Sequence, residues 1–377
     1  MKLTVEQSHL AAAVGYAARS LPARPPIPVL AGLLLDATDD RLRVSAFDYE
    51  VSADTSAPAT VTENGRALIS GRLLSDIIGT VRGDVHLELT GARMLLKAGA
   101  ARFTLPTLPL EEYPALPDPG ATAGTLAGPA LAGPALAETV AQVASAVSKD
   151  EALPILTGIG LRHDSKAGTL TLYATDRYRF AVRTLAWKDA DLPDGTAVIP
   201  AKALADATKA TADDTTVDIA LPTGNSGLFV VRSENHTTTI RALEGELPKY
   251  ESLFPTEFAA TATVEIAALK AAAQRVALVS TKKESPIKLT FSADGPLVLE
   301  GGTSDDAQAV DNVDVNLDGG ELSIAFNPTF LIDGLNALNA ESVQFQFVSA
   351  TKPAVMRGAG TDDQALRYLL MPIRLTG

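Results

Sequence analysis

Three stretches of the chain carry the same apolar stripe at helical spacing. Leu10, Val14, Ala17 and Leu21 recur every three or four residues, as do Leu136, Val140, Val143 and Val147, and again Ile266, Leu269, Ala273 and Val276. That spacing puts each set on one face of an amphipathic helix, and the alanines between them favour helix. Each helix is followed by a run that leads into strand, turn and strand. Pro28-Val29-Leu30-Ala31-Gly32-Leu33 is matched 126 positions later by Pro154-Ile155-Leu156-Thr157-Gly158-Ile159, and Pro286-Ile287-Lys288-Leu289 is a degenerate third copy. The strands around Leu42–Val44, Leu170–Tyr173 and Leu297–Leu299 then run into acidic turns at Asp48, Asp176 and Asp305.

A further landmark also occurs three times. Asn64-Gly65, Asp194-Gly195 and Gly319-Gly320 precede the short apolar runs Ala67-Leu68-Ile69, Ala197-Val198-Ile199 and Leu322-Ser323-Ile324. Asn-Gly and Asp-Gly are tight-turn signals between strands. A second short helix follows each run, with an acid at Asp76, Asp206 and Asp333, spaced 130 and 127 residues apart. One unit therefore reads helix, strands, turn, strand, short helix, strands, which is an α+β layer with helices on one side of sheet. Pro-rich segments, from Leu105-Pro106 to Pro119 and from Pro248 to Pro255, set expected boundaries at 1–123, 124–255 and 256–377. Duplication of a stable module explains such a repeat without reference to any function.

Composition narrows the classes. The chain has 377 residues, 46% apolar and 20% charged, as in an ordinary globular protein. It has no cysteine, which excludes disulfides and thiolate metal sites and fits a reducing, cytoplasmic setting. The N-terminus lacks a signal-peptide layout, and no apolar run is long enough to span a membrane. A net charge of −13 argues against a tight grip on nucleic acid. It remains compatible with a protein that surrounds DNA, weakly basic inside and acidic outside.

Catalytic constellations are missing. His9, His86, His163 and His236 are far apart, with no pair at helical ligand spacing. There is no phosphate loop, since Thr223-Gly224-Asn225-Ser226-Gly227 lacks the lysine, and no GxSxG elbow. Ser304-Asp305-Asp306 could hold a divalent cation, but its repeat partners are single acids, so a solvated turn is the simpler reading. No cofactor or metal is expected. The enzymatic alternative is a nuclease using Asp48, Asp176 and Asp305.

Five motifs, in order and spanning all three units, resemble the bacterial sliding clamp, the β subunit of DNA polymerase III. They are Arg24-Pro25-Pro26-Ile27-Pro28, Ala174-Thr175-Asp176-Arg177-Tyr178-Arg179-Phe180-Ala181-Val182, Leu243-Glu244-Gly245-Glu246-Leu247-Pro248-Lys249-Tyr250, Phe326-Asn327-Pro328-Thr329-Phe330 and Tyr368-Leu369-Leu370-Met371-Pro372-Ile373-Arg374-Leu375. The alanine richness and the Arg177-Tyr178-Arg179 wording look actinobacterial. The resemblance implies three repeated clamp-type units, each two helices against antiparallel sheets, assembling head to tail as a homodimer into a closed ring. Such a ring is a non-catalytic processivity factor. It tethers the polymerase III α subunit to double-stranded DNA without sequence specificity, is served by a clamp loader, and binds other clamp-motif proteins.

The resemblance also implies sites. A diffuse DNA-facing track is expected from Arg24, Arg72, Lys149, Lys202, Lys209, Arg275 and Lys282, although basic side chains on exposed helices also serve solvation alone. Arg72 and Lys202 are repeat equivalents, and Thr329 stands in the third copy. A partner-peptide cleft between the second and third units matches Leu156, Thr175, Arg179, Phe180, Pro248, Leu253, Asn327, Phe330, Pro353, Met371, Pro372, Ile373 and Arg374. Its apolar walls suit Leu or Phe anchors, but Leu156, Leu253 and Ile373 fit a plain core equally well. The dimer seam is expected at Phe103 and Leu105, read as an edge strand, and at Leu278-Val279. Many family members have Gly-His in place of Arg177-Tyr178 and Leu in place of Phe180. Ser252 and Glu284 also depart, at positions that are basic and aromatic in some members. A specialised clamp copy with an altered partner or inhibitor pocket is therefore the alternative reading.

Overall fold

A computed structural model describes residues 1–119, 124–127, 133–187, 194–222, 227–279, 285–302 and 307–374. Lys282, Glu284, Asp305 with its neighbours Ser304 and Asp306, the 223–226 stretch and Leu375 lie outside them. Among the described residues there are six α-helices: α1 (Gln7–Ala18), α2 (Gly71–Thr80), α3 (Gly133–Ala144), α4 (Ala201–Ala210), α5 (Ile266–Ala277) and α6 (Pro328–Ala337). The apolar stripes predict α1, α3 and α5, and the short helix after each turn-and-strand landmark predicts α2, α4 and α6. Leu10, Val14 and Ala17 are buried on α1, and Leu269, Ala273 and Val276 on α5. Burying a large side chain such as Leu10 stabilises by about 1.5–3 kcal/mol. Leu21 and Val147, read as parts of the first two stripes, fall beyond the helix ends. Leu21 still packs on the core as the chain turns away.

The chain forms two compact units. The first comprises residues 1–137 and 202–242, the second 138–201 and 243–377. In the first, one thirteen-stranded sheet runs from Gly124–Ala127 through Thr216–Ala220, Leu228–Arg232 and His236–Arg241 to Val51–Pro58. It continues through Arg41–Phe47, Gly32–Thr38, Gly65–Ser70, Ala101–Leu108, Arg93–Ala98, Asp84–Thr90 and Lys2–Glu6 to Thr60–Glu63. Its central seam is antiparallel, with Thr55 opposite His236 and Ser52 opposite Thr239.

The second unit has a nine-stranded sheet in the order Gly195–Pro200, Gly158–Asp164, Thr169–Thr175, Arg179–Ala186, Arg367–Leu370, Ala354–Gly358, Ser342–Phe347, Ala260–Glu265, Val315–Gly319. A separate four-stranded sheet has the order Gln308–Val313, Leu297–Gly302, Ile287–Phe291, Leu322–Phe326. Strand burial alternates where one face meets the core, as in Arg93–Ala98 and Ser342–Phe347.

The turn signals act differently from expectation. Asn64-Gly65 joins two strands that do not pair with each other: Thr60–Glu63 pairs with Lys2–Glu6, whereas Gly65–Ser70 pairs with Gly32–Thr38. Gly319-Gly320 likewise passes from a strand paired with Ala260–Glu265 to one paired with Ile287–Phe291. The glycines serve a crossing rather than a hairpin. Gly319 sits at φ +104°, and a Cβ there would meet the Ala259 carbonyl at 2.4 Å.

Candidate partner-binding cleft

The 175–179 turn organises the cleft. It joins Thr169–Thr175 to Arg179–Ala186, with Thr175 opposite Phe180. The Asp176 carboxylate accepts the backbone N–H groups of Tyr178 (3.0 Å) and Arg179 (3.1 Å). The Thr175 hydroxyl accepts from the Arg177 N–H (3.0 Å) and donates to the Arg179 carbonyl (2.7 Å). These bonds hold Arg177 at φ +81°, a left-handed conformation that favours glycine. The first repeat contains the same turn. Asp48 accepts from the N–H groups of Glu50 (3.0 Å) and Val51 (2.7 Å), and Tyr49 has φ +77°. Asp48 and Asp176 are thus turn-capping acids occupied by backbone donors, a role that leaves the nuclease reading without support at these positions.

Arg179 is 4% exposed. Its guanidinium pairs with Asp176 (2.8 Å) and Asp333 on α6 (2.7 Å), donates to the Tyr368 hydroxyl (3.2 Å) and lies 4.4 Å from the Phe330 ring centre. Burial works against its charge, but Tyr368, Asp333 and Asp176 outweigh that penalty and raise its pKa above the ordinary arginine value. Burial pushes the Tyr368 phenol well above its usual range, with Arg179 pulling the other way. The Tyr368 hydroxyl donates to the Phe330 carbonyl (3.2 Å).

Asn327 caps α6 by accepting from the N–H groups of Thr329 (2.9 Å) and Phe330 (3.4 Å), with Pro328 in the first turn. This fixes Phe330, whose ring stacks on the exposed Tyr178 at 6.0 Å. The C-terminal segment is tied at two points: the Met371 N–H donates to the Tyr178 carbonyl (2.9 Å), and that of Ile373 to the Ala325 carbonyl (2.8 Å).

Phe180 and Leu156 belong to one buried apolar cluster with Tyr173, Leu247, Tyr250, Phe254 and Leu369. Phe180 lies nearly parallel to Tyr173 and edge-on to Phe254, each 6.1 Å away.

The predicted cleft residues therefore divide by exposure. Leu156, Thr175, Arg179, Phe180 and Asn327 are buried. Phe330, Pro353, Pro372 and Ile373 are half-buried, while Pro248, Leu253, Met371 and Arg374 face solvent. Sequence reasoning missed Asp333 and Tyr368 as partners of Arg179. It also missed a neighbouring cavity of about 510 Å³ lined by Arg162, Tyr173, Tyr250 and the 245–252 segment. The recurring Asp in the short helix was visible, but its ion pair was not.

Three family models match in sequence order: the N-terminal domain of the DNA polymerase III β subunit over residues 1–117, the central domain over 130–249 and the C-terminal domain over 251–374. The chain belongs to the bacterial β sliding clamp family. Members of this family are non-catalytic processivity factors of the polymerase III holoenzyme. The chain is 48% identical to a β sliding clamp of Streptomyces coelicolor over the full length of both. It is 41% identical to a β sliding clamp homolog, GriR, of Streptomyces muensis over 99% of each. Both sources agree with the actinobacterial wording. A Pseudomonas aeruginosa sliding clamp solved bound to griselimycin superposes with a TM-score of 0.91 at 26% identity, covering all of both chains.

The other predicted clamp residues are placed as follows. Arg72 and Lys202 are the exposed second residues of α2 and α4, and Thr329 holds that place on α6. Arg24, Lys149 and Lys209 are exposed. Arg275 on α5 is ion-paired with Asp311 (2.7 Å), so its charge is partly spent within the fold. In Ala101–Leu108, residues 101–106 pair with Arg93–Ala98, and only Thr107 and Leu108 meet Gly65–Ser70, so the other backbone edge of 101–106 is unpaired among the described residues. Phe103 is half-buried on that edge and Leu105 points into the core. Leu278 is 83% exposed at the end of α5, and Val279 is half-buried.

Proposed function

We propose that two copies close head to tail into a ring around duplex DNA. The polymerase III α subunit, the clamp loader and other clamp-motif proteins would dock in the cleft at Met371–Arg374. Each chain then contributes three modules, 1–123, 124–255 and 256–377, and works in the cytoplasm without cofactor or metal. The observation that carries this reading is the ordered match of three clamp domains along the whole chain.

Two free strand edges support the ring. The 101–106 edge of one copy suits the Gln308–Val313 edge of the other, which borders the four-stranded sheet and has Val310 66% exposed. Leu278, almost wholly in solvent, supplies apolar area beside that seam. Arg24, Arg72 and Lys202 are cations for phosphate contacts in an acidic protein, a balance that permits sliding. The decisive assay loads the protein on circular DNA and then cuts the circle. Retention until linearisation, weakened by charge reversal at Arg24 and Lys202, is expected. Equal retention on circular and linear DNA refutes a topological tether.

A further inference from the structure

Among the described residues of the cleft rim, Arg177 is the one non-glycine in a left-handed backbone conformation, and no ion pair there takes up its charge. Its φ of +81° is held by the Thr175 and Asp176 bonds, in the left-handed region that favours glycine. The equivalent turn of the first repeat holds Tyr49 at φ +77°, so the conformation belongs to the turn, and the charge it presents is what sets Arg177 apart. Its side chain is exposed, and no carboxylate among the described residues pairs with it. The guanidinium lies 5.8 Å from the ring centre of Tyr178, whose ring also stacks with Phe330. The series Arg177, Tyr178, Phe330, Arg179 thus alternates cation and ring, ending in a buried arginine already satisfied by Asp176 and Asp333. Only the outer cation is unspent. Arg374, also exposed on the C-terminal segment, adds a second positive charge to the cleft in a chain of net charge −13.

We infer that Arg177, braced on Tyr178, is a specificity residue that recognises an acidic side chain flanking the apolar anchors of a docked peptide. This inference rests on the cleft reading above. A carboxylate is the chemistry that a planar, exposed guanidinium takes most directly. The ring beneath limits the conformations it must give up on binding.

Fluorescence polarisation with the full-length protein tests this. Two labelled peptides share the same Leu and Phe anchors and differ only in an adjacent Asp or Asn. At low salt the Asp peptide should bind about two- to five-fold more tightly, the range of an exposed ion pair. High salt should erase the difference. Arg177→Gly, which suits the φ and spares the fold, should bring the ratio of the two affinities to about one, whatever it does to binding of the Asn peptide itself. Arg177→Glu should reverse it. Equal binding of both peptides by the native chain, or a preference that survives Arg177→Gly, overturns the proposal. So does a loss of DNA retention in Arg177→Gly with peptide selectivity intact, which would make Arg177 a phosphate contact. If the native chain binds neither peptide, or Met371→Ala has no effect, the cleft reading itself fails and the rim falls with it.

Discussion

Removing the Asp176 carboxylate is expected to destabilise the second compact unit far more than removing that of Asp333, although both pair with Arg179. Asp176 is 10% exposed, and besides its ion pair it accepts two backbone N–H groups. Asp176→Ala leaves a buried guanidinium short of a partner and two turn amides unpaired, a loss of about 3–5 kcal/mol. Asp333 is 34% exposed and makes one bond to Arg179. Its charge-assisted bond, about 1.5–3 kcal/mol when shielded, falls to roughly 1–1.5 kcal/mol once water replaces part of it. Trp187 is the sole tryptophan, 2% exposed and within the same unit, so its fluorescence reports urea unfolding of this region. With m of about 3 kcal/mol/M, the midpoint should drop by about 1 M or more in Asp176→Ala and by under about 0.5 M in Asp333→Ala. In an Arg179→Met background, Asp333→Ala should add almost nothing. Equal shifts in the two single variants, or a larger one for Asp333→Ala, would refute the reasoning that burial and turn capping set the cost.

Leu278→Asp should convert the dimer to monomers in sedimentation while leaving the thermal melt of each chain intact, because the side chain has almost no contacts to lose. An unchanged dimer would place the seam elsewhere. His236 stacks on Tyr16 at 4.3 Å and bonds Thr55 at 2.9 Å. Burial, helped by Arg19 and opposed by Asp214, lowers its pKa. Since the unfolded chain takes up the proton first, stability should fall as pH drops through about 6.5. Thermal melts by circular dichroism at pH 7.5 and 5.5 should show a smaller loss in His236→Gln than in the native protein. Parallel losses would exclude His236 as a contributor.

The helical stripes were legible because each buries a continuous apolar face, so Leu10, Val14, Leu269 and Val276 lie where their periodicity puts them. Pairing was not legible. Thr55 opposite His236 and Phe180 opposite Leu369 are contacts between distant segments, and no local pattern encodes their register. Asn64-Gly65 misled for the same reason, since a turn dipeptide specifies a bend but not the partners of the strands it joins. The acids at Asp48, in the first repeat, and Asp176, in the cleft, marked turns correctly. The left-handed Arg177 left no trace, because an arginine gives no sign of a glycine-like conformation. Tyr173 and Tyr250 read as ordinary strand and loop aromatics, and only tertiary packing reveals the cavity between them.

The seam between Val51–Pro58 and His236–Arg241 has a consequence for how the chain is made. As the protein leaves the ribosome, Val51–Pro58 emerges with one edge bare, and its neighbour is completed only when residue 241 follows. At about 5–20 residues per second this interval lasts roughly 10–40 s. Arg179–Ala186 waits in the same way for Arg367–Leu370. A nascent chain stalled at either repeat boundary, or a fragment released there by a protease, would carry an open strand edge that invites pairing with other chains. Quality control of this protein in the cell therefore hinges on finishing translation, because the strand edges left by the first and second repeats are covered only when the following repeat arrives.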